Sequence, residues 1–562
     1  MHALNLSVIH KPENGEPLQT SDGSLGGMRN LLQLSDASKF GAGKNPLQLR
    51  SLMRKLSARI SREPNWPNEE NPNLPSGYTY LLQFIAHDMV NTSISLAATD
   101  GRRFGFENAR QQPLTLDTIY GGGPDVSPQA YEFTRGCKDS RGLMPRTRLR
   151  RGRAQNRSGS TTGMPFADIG RAAPIGVRDD GINVSTSAAQ CPLTEALVAD
   201  ARNDDQALII QITVLFHRLH NFILDQIESS RGSATPADAY RNFISARFLM
   251  TLIYRRIIFN DVLYRLLDPS VIRYYLVEKR PLVANDESGC IPVEFSHGAF
   301  RCGHAMVRNS YRVRSEDALE TARAMQFSSR RSPGFVPLTE DWIIKWERFF
   351  EISNQTPPNY SRRLGPSFSP IIRSEFFFPP LNSNLNGHGD AAGLPSRDLV
   401  SAVYAKIWSV PKLIDALRAK SPELSHFLPA YGEYISPLKN WLQATANPNG
   451  LSEQFDPDDV SALAEDPPLP FFVLFEAAAK HGGQRLGPLG SIIVAETIIA
   501  AMESYPLRVE ELVFDPQLPL KKQDELFKQL GITDPLSKMP EIENMDDLLT
   551  FMQSEGLLED EL

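Results

Sequence analysis

The chain has 562 residues, of which 41% are hydrophobic and 22% charged, and its formal net charge is -7. This composition is typical of a globular protein large enough to bury an extensive core with a pocket inside it. The negative charge argues against a general nucleic-acid-binding protein.

The cysteines and the N-terminus indicate the compartment. Four cysteines without Cys-x-x-Cys spacing predict neither a disulfide framework nor a zinc cluster. The N-terminus lacks a basic region followed by a long apolar region, and no uninterrupted apolar run reaches the length of a membrane span. We therefore expect a soluble, cytoplasmic protein, while export by another route stays open.

No low-complexity linker interrupts the middle of the chain, so we expect one large body with a segment on either side of it. Residues 1–75 are rich in Gly, Pro, Asn and Ser, with one amphipathic segment at 47–60, and predict an arm wrapped on the body. Residues 76–505 predict the main domain, and residues 506–562 a helical extension with an acidic tail. Strand signals are sparse throughout, so we expect a mainly α fold with few short strands. The one basic cluster, residues 146–153, is interpreted as a solvated loop.

The first segment that could carry chemistry is Leu-Leu-Gln-Phe-Ile-Ala-His-Asp-Met at residues 81–89. Its Gln83 and His87 are four residues apart and therefore leave the same face of a helix. A polar pair on a buried face needs partners, so it is either a satisfied core pair or the wall of a pocket. For a single His on an apolar face, the core is the commoner place.

Two further helical regions follow. Residues 193–227 begin with several acids and Arg202 and continue as a long apolar helix, where acids at the start are typical of capping. His217 and His220 in this helix are three residues apart, but no third ligand is near, which disfavours a metal site. A second helix is predicted at about 237–267. Later, His304 lies between Gly303 and Ala305, small residues that let something flat approach.

Five segments in chain order resemble the animal haem peroxidases of the peroxidase-cyclooxygenase superfamily, particularly their bacterial members. They are Gly-Tyr-Thr-Tyr-Leu-Leu-Gln-Phe-Ile-Ala-His-Asp, Leu-Asp-Thr-Ile-Tyr-Gly-Gly-Gly-Pro, Ala-Asp-Ala-Arg-Asn-Asp-Asp-Gln, Phe-Arg-Cys-Gly-His-Ala-Met-Val and Gly-Leu-Pro-Ser. Together they span roughly residues 75–505, and their order is more specific than any single motif. The resemblance implies a mostly α-helical fold around one buried haem b.

The resemblance also assigns roles. It makes His87 the distal base, Gln83 its hydrogen-bonding neighbour, Arg202 the distal cation and His304 the axial ligand of the haem iron. An imidazole can take a proton from one peroxide oxygen and return it to the other. The charge of Arg202 can stabilise the leaving oxygen, a contribution of about 3 kcal/mol per donor in other enzymes.

Two residues are implied on the proximal side. Asp398 stands where mammalian relatives carry an Asn that partners the axial His, and a carboxylate there would favour oxidised iron. The sequence before Gly393 departs from the family pattern, so this alignment is an expectation to be tested. Arg301 resembles the Arg near the haem edge of peroxidases, whereas the cyclooxygenase branch places its radical Tyr there.

Three departures from the family concern haem and calcium. The family carries an Asp that esterifies haem where this chain has Ala86, and Asp205 stands for a Glu that does the same. We therefore expect haem without covalent links, or with one ester at most, through Asp205. A calcium site is implied at Asp88, Thr115 and Asp117, but Thr115 replaces an acid and weakens it. The alternative for Asp88 is a capping or salt-bridged acid.

These residues favour a haem peroxidase that reduces hydrogen peroxide and oxidises small organic donors through an oxoferryl intermediate. One alternative is a haem dioxygenase or tailoring oxidase acting on a lipid or a secondary metabolite. Another is a haem-free structural descendant that binds a protein partner. The joint presence of His87, Arg202 and His304 disfavours the last alternative, because a structural role needs none of them.

Overall fold

The structure is a computed structural model, and the parts of the chain that it describes are residues 29–62, 70–91, 108, 110, 112–134, 137–140, 142, 144–156, 164–173, 194–278, 281, 290–353, 356–380, 391–428, 430–444, 455–509, 512–531 and 539–558. The fold is mainly α-helical with few short strands, which confirms the predicted fold class. The predicted acidic tail and Cys191 lie outside these ranges, as do residues 1–28 of the predicted arm.

The α-helices are the largest class of element in the described ranges. In chain order they are α1 (Pro46–Arg62), α2 (Gly77–Met89), α3 (Asp117–Tyr120), α4 (Ala207–Arg231), α5 (Pro236–Ile257), α6 (Leu263–Leu266), α7 (Pro269–Glu278), α8 (Val293–Ser296), α9 (Thr321–Ala324), α10 (Leu394–Tyr404), α11 (Val410–Lys420), α12 (Gly432–Gln443), α13 (Pro457–Glu465), α14 (Leu469–His481), α15 (Pro488–Ser504), α16 (Asp524–Leu530) and α17 (Met545–Ser554).

Short 3-10 helices connect these elements, and two of them, Ala201–Asp204 and Ala299–Met306, carry residues of the candidate site. The others are Asp36–Ser38, Pro128–Ala130, Pro333–Phe335, Glu340–Trp342, Trp346–Arg348, Leu424–His426 and Leu520–Lys522. A π-helical segment, Ile258–Val262, joins α5 to α6, so the helix predicted at 237–267 is continuous from 236 to 266.

The strands pair antiparallel in twos within the described ranges. The pairs are β1 (Glu70–Pro75) with β10 (Tyr360–Arg362), β2 (Tyr131–Phe133) with β3 (Arg146–Leu149), β4 (Arg151–Gly152) with β5 (Asp168–Ile169), β6 (Arg171–Ala172) with β7 (Glu195–Ala196), β8 (Ser310–Arg312) with β9 (Ala318–Glu320), and β11 (Arg508–Val509) with β12 (Leu512–Val513).

The basic cluster is not a solvated loop, so that interpretation was wrong. It forms β3 and β4, in which Thr147 and Leu149 are buried and Arg148 forms ion pairs with Asp225 and Glu228 of α4. Alternation of apolar and polar residues is the pattern of a half-buried strand, and it accounts for the arginines on the outer face.

A buried aromatic cluster fixes α2 against the central helices. Phe84 of α2 stacks on Phe216 of α4 with ring centroids 4.8 Å apart, and Tyr254 of α5 meets both rings edge-on. Such arrangements add about 0.5–1.5 kcal/mol per pair beyond the burial of area. Since His87 is three residues after Phe84, this cluster also sets where His87 lies.

The long apolar helix α4 has the length and hydropathy of a membrane span. However, 94% of its most apolar 18-residue window is buried inside the protein, where α2 and α5 pack against it. An apolar helix covered on all sides is typical of a protein core.

The described part of the N-terminal segment is attached to the body. Glu294 is fully buried and accepts hydrogen bonds from Asn30 Nδ2 (2.6 Å), from the backbone N–H of Leu31 (2.7 Å) and from that of Trp408 (3.3 Å). Helix α1 packs against α10. At the other end of the chain, Asp546 of α17 forms an ion pair with Arg265 of α6.

Candidate active site

A cavity of about 400 Å³ is lined by α2, by the 3-10 helix Ala299–Met306 and by the start of α10. Its lining includes side chains from four separate stretches of sequence. Those capable of acid–base, ligand or ionic chemistry are Gln83, His87, Arg202, Asp205, Arg301, His304 and Arg331. The structure therefore brings together in one cavity most of the residues that the sequence singled out.

His87 is held by a residue that the sequence analysis did not single out. The side chain is 8% exposed, and its Nδ1 lies 2.9 Å from Oδ1 of Asn203. Asn203 is fully buried and donates through Nδ2 to the carbonyl oxygen (3.0 Å) and hydroxyl oxygen (3.1 Å) of Thr118. No spacing rule links Asn203 to His87, because 116 residues separate them.

The environment keeps His87 uncharged. Burial, and the nearby positive charge of Arg202, lower its pKa from 6.5 to about 4. At neutral pH the imidazole is therefore neutral, as a general base must be before it accepts a proton.

Gln83 lies one turn before His87 and is oriented by Gln206. The Gln206 side chain caps α4 by accepting the N–H of Leu208 (2.7 Å), and its Nε2 donates to Oε1 of Gln83 (3.1 Å). Because the amide oxygen of Gln83 is used in this way, its NH2 group is the part left to donate hydrogen bonds in the cavity.

Arg202 lines the cavity but uses most of its hydrogen bonds on the protein. Nε and Nη2 donate to the carboxylate of Asp200 (3.1 and 2.6 Å), Nη2 also to the carbonyl oxygen of His87 (2.8 Å), and Nη1 to that of Val90 (2.6 Å). Of its five N–H groups, one on Nη1 remains. Arg202 therefore acts on the cavity chiefly through its charge.

Asp200 pairs with two arginines beside His87. Besides Arg202, it forms an ion pair with Arg110, whose Nε donates to the carbonyl oxygen of His87 (2.8 Å). Although burial alone would raise its pKa, the hydrogen bond and charges of the two arginines hold the pKa of Asp200 at about 2. The backbone of His87 is thus clamped by two guanidinium groups that share one carboxylate.

His304 and Asp398 come together from different helices. Nδ1 of His304 lies 2.7 Å from Oδ2 of Asp398, which is 5% exposed at the start of α10. An acceptor at Nδ1 fixes the ring and leaves Nε2 for a metal. The sequence-based alignment predicts that Asp398 lies beside His304, and this contact is present, while their roles toward haem stay a prediction.

Two arginines add positive charge to the cavity wall. Nε of Arg301 donates to the carbonyl oxygen of Ser296 (2.8 Å), and its Nη1 lies 3.9 Å from Asp398. Arg331, which the sequence analysis did not single out, donates to the backbone oxygen of Asp205. Guanidinium groups in such positions suit the carboxylates of a ligand.

Of the two positions that the sequence resemblance links to haem esters, one lacks a carboxylate and the other has one. Ala86 lines the cavity and has no group that can form an ester. Asp205 also lines it, and its carboxylate forms an ion pair with Arg330.

The residues of the predicted calcium site do not fit that ion. Both oxygens of Asp88 accept backbone N–H groups, from Leu116 (2.9 Å) and Thr118 (3.1 Å). Asp117 pairs instead with Arg247 (3.0 Å), and the hydroxyl oxygen of Thr115 lies 2.7 Å from the carbonyl oxygen of Gln112, to which it can donate, and 3.1 Å from Asp117. Calcium requires several free oxygen ligands. Within the described ranges, no group of three or more His, Cys, Asp or Glu side chains could hold a metal ion.

His217 and His220 are core histidines. Nδ1 of His217 contacts the carbonyl oxygen of Arg150 (2.9 Å), and Nε2 of His220 contacts that of Thr147 (3.0 Å). Burial lowers their pKa values to about 4 and about 3, respectively.

The donor set of the cavity fits haem. His304, backed by a carboxylate, is the kind of ligand that holds haem iron in peroxidases. Arg301 and Arg331 supply cations for the carboxylates of a porphyrin. The cavity volume of about 400 Å³ lies in the range of ordinary cofactor sites.

The chain is similar to known proteins in both sequence and fold. The family model for animal haem peroxidase matches residues 168–343. Among solved structures, peroxidase A from Dictyostelium discoideum is similar with a TM-score of 0.50 and 14% identity, over 85% of this chain and 87% of that one.

Two plant enzymes are also similar in structure. The fatty acid alpha-dioxygenase of Oryza sativa has a TM-score of 0.49 and 12% identity, over 96% of this chain and 84% of that one. The one from Arabidopsis thaliana has a TM-score of 0.49 and 13% identity, over 97% and 81%. No curated protein matches the chain.

The family is one of haem-dependent oxidoreductases, and the matched segment contains both Arg202 and His304. The family match confirms the resemblance of this chain to the animal haem peroxidases, and the solved structure shows that the fold is shared.

Proposed function

We propose that this protein is a haem peroxidase, which reduces hydrogen peroxide and oxidises small organic donors. The observation that supports the proposal best is that His87 and His304 line the same cavity, each with Nδ1 engaged by a protein oxygen. The His87 imidazole is thereby oriented to act as a base, and the His304 imidazole to bind a metal.

The proximal residues would hold the cofactor. His304 would bind the iron through Nε2, with its orientation and basicity set by Asp398. Arg301 and Arg331 would pair with the porphyrin carboxylates. Bound haem supplies the electron-transfer chemistry that amino-acid side chains lack.

The distal residues would manage the protons. His87, neutral at pH 7, takes a proton from one oxygen of hydrogen peroxide and delivers it to the other, which leaves as water. The NH2 group of Gln83 donates a hydrogen bond to the bound peroxide. The charge of Arg202 stabilises the negative charge that grows on the leaving oxygen. In the full cycle, two donor molecules give up two electrons and two protons, and hydrogen peroxide becomes two waters.

Reconstitution with haemin tests the proposal. The full chain should take up haem with a Soret band that shifts on one equivalent of hydrogen peroxide, and it should then oxidise guaiacol. His87→Leu should keep haem but lower the rate of the peroxide reaction by roughly 10²–10⁴-fold, the usual contribution of a general base. His304→Ala should lose the native haem spectrum, while the control His426→Leu, at an exposed position, should change neither.

The outcomes separate the functions that compete with this one. Failure to take up haem would contradict every haem enzyme and favour a structural descendant. Haem uptake with oxygen consumption on a fatty acid, but no peroxide-dependent oxidation of guaiacol, would favour an oxygenase. Arg301 argues against cyclooxygenase-type chemistry, because the cyclooxygenase branch places its radical Tyr at the matching position.

A further inference from the structure

The ring of His87 is part of a closed hydrogen-bonded loop on the distal side. The loop runs from His87 Nδ1 to Asn203, from Asn203 to Thr118, and from the N–H of Thr118 to Asp88, the residue that follows His87. His87, Asp88, Thr118 and Asn203 are all buried. Its members come from α2, α3 and the 3-10 helix Ala201–Asp204, so the loop ties three elements together.

The contacts of Thr118 fix the orientation of the Asn203 amide. The carbonyl oxygen of Thr118, 3.0 Å from Asn203 Nδ2, can only accept a hydrogen bond. The NH2 group of Asn203 must therefore face Thr118, and its oxygen Oδ1 must face His87. Asp88 supports this arrangement, because its Oδ1 accepts the N–H of Thr118 (3.1 Å) and so positions that residue.

The oriented amide in turn selects one tautomer of His87. Oδ1 of Asn203 can only accept, so the hydrogen in this contact belongs to His87 Nδ1. A neutral imidazole has one N–H, and the second nitrogen, Nε2, is then left with a free lone pair. His87 lines the cavity whereas Asn203 does not, so Nε2 is on the cavity side.

The backbone of His87 is immobilised at the same time. Arg110 and Arg202 both donate to its carbonyl oxygen at 2.8 Å, and Asp200 holds both guanidinium groups. With ring and backbone fixed, the imidazole has little freedom to turn the wrong nitrogen to the cavity. Enzymes that depend on one tautomer lose most of their rate when the partner of the other nitrogen is replaced.

We infer that Asn203 is a positioning residue, which holds His87 in the Nδ1–H tautomer with Nε2 free to accept the proton of the substrate. The inference deepens the proposed function, on which its catalytic consequence rests. The loop needs no metal ion, since direct hydrogen bonds from Leu116 and Thr118 satisfy the carboxylate of Asp88.

Two variants at one position isolate the acceptor oxygen. Asn203→Leu has a similar volume but no acceptor, whereas Asn203→Asp keeps an oxygen toward Nδ1. We expect Asn203→Leu to take up haem normally and to react with hydrogen peroxide about tenfold more slowly, or worse. Asn203→Asp should recover part of that loss, because an oxygen again accepts from His87 Nδ1, whereas the NH2 group that donates to Thr118 is missing and the new charge favours the imidazolium. Thr497→Val serves as the control and should behave like the wild type, because it removes a buried hydroxyl that bonds the carbonyl oxygen of Ile493 in its own helix, α15.

A direct measurement of the tautomer makes the test independent of activity. The full-length chain is labelled with ¹⁵N-histidine, and the His87 signals are identified by their absence in His87→Leu. These signals should show a protonated Nδ1 in the wild type and in Asn203→Asp. Asn203→Leu should show loss of this signature. A protonated Nε2 in the wild type, or the same tautomer and peroxide rate in Asn203→Leu, would overturn the inference. If the wild type shows the Nδ1–H tautomer but no peroxide reaction, the proposed function fails and the assignment of Asn203 as a positioning residue for His87 stands.

Discussion

Asp398 is the residue whose substitution tests the proximal side most directly. Its carboxylate lies 2.7 Å from His304 Nδ1, and partners of this kind usually change metal affinity by roughly 10–100-fold. We therefore expect Asp398→Leu, which has a similar volume but no acceptor, to weaken haem binding by roughly tenfold or more. Titration of haemin followed at the Soret band measures the change, with Asp415→Leu at an exposed position as control. Equal affinities in both variants would show that Asp398 does not support the ligand.

Under the proposed function, Ala86 and Asp205 are the two residues that bear on whether haem is attached covalently. Ala86 cannot form an ester, and the carboxylate of Asp205 is paired with Arg330. We expect acid-acetone to extract all the haem after exposure to hydrogen peroxide, with no mass added to the protein. Haem that stays attached in the wild type and is released from Asp205→Asn would instead show a single ester through Asp205.

At the scale of elements, Asp88 joins α2 to the turn that precedes α3. Asp88→Ala would leave the buried N–H groups of Leu116 and Thr118 unpaired, each at a cost of about 1–3 kcal/mol. We expect a lower free energy of unfolding in urea by about 2 kcal/mol or more. Neither calcium nor EGTA should shift the unfolding of the wild type. A calcium-dependent rise in the midpoint would mean that an ion does bind here.

The elements themselves were largely predictable from local patterns. The apolar periodicity that forms α2 and α4 is visible in the sequence, and so are the acids before α4. The contact between His87 and Asn203 was not predictable, because it joins residues 116 positions apart and depends on how α2 packs. The basic cluster was misinterpreted for a different reason. Its loop-like composition hid the alternation of apolar and polar residues that marks a strand.

At the scale of the whole molecule, its stability in acid depends on buried histidines that stay neutral. His220 on α4 illustrates why. The carbonyl oxygen of Thr147 can only accept, so His220 Nε2 donates to it, and Nδ1 accepts from the hydroxyl of Tyr120 (2.9 Å). A second proton on this ring would remove the acceptor of the Tyr120 hydroxyl hydrogen and place a charge in the core between helix and strand.

The sign of the pH effect follows from the two pKa values of His220, about 3 in the folded protein against the ordinary value of 6.5 for a histidine in an unfolded chain. Between these values the unfolded state binds one proton more, so the free energy of unfolding falls as pH falls, by up to about 1.4 kcal/mol per pH unit. His220→Gln keeps a donor and an acceptor but cannot titrate, and it should therefore flatten this slope. Urea unfolding at several pH values between about 6.5 and about 4.5 measures this slope.

Buried acids with raised pKa values, such as Glu476, act in the opposite sense, but they are present in both proteins and cancel in the comparison. Equal slopes in wild type and variant would show that His220 binds its proton in the folded state as well.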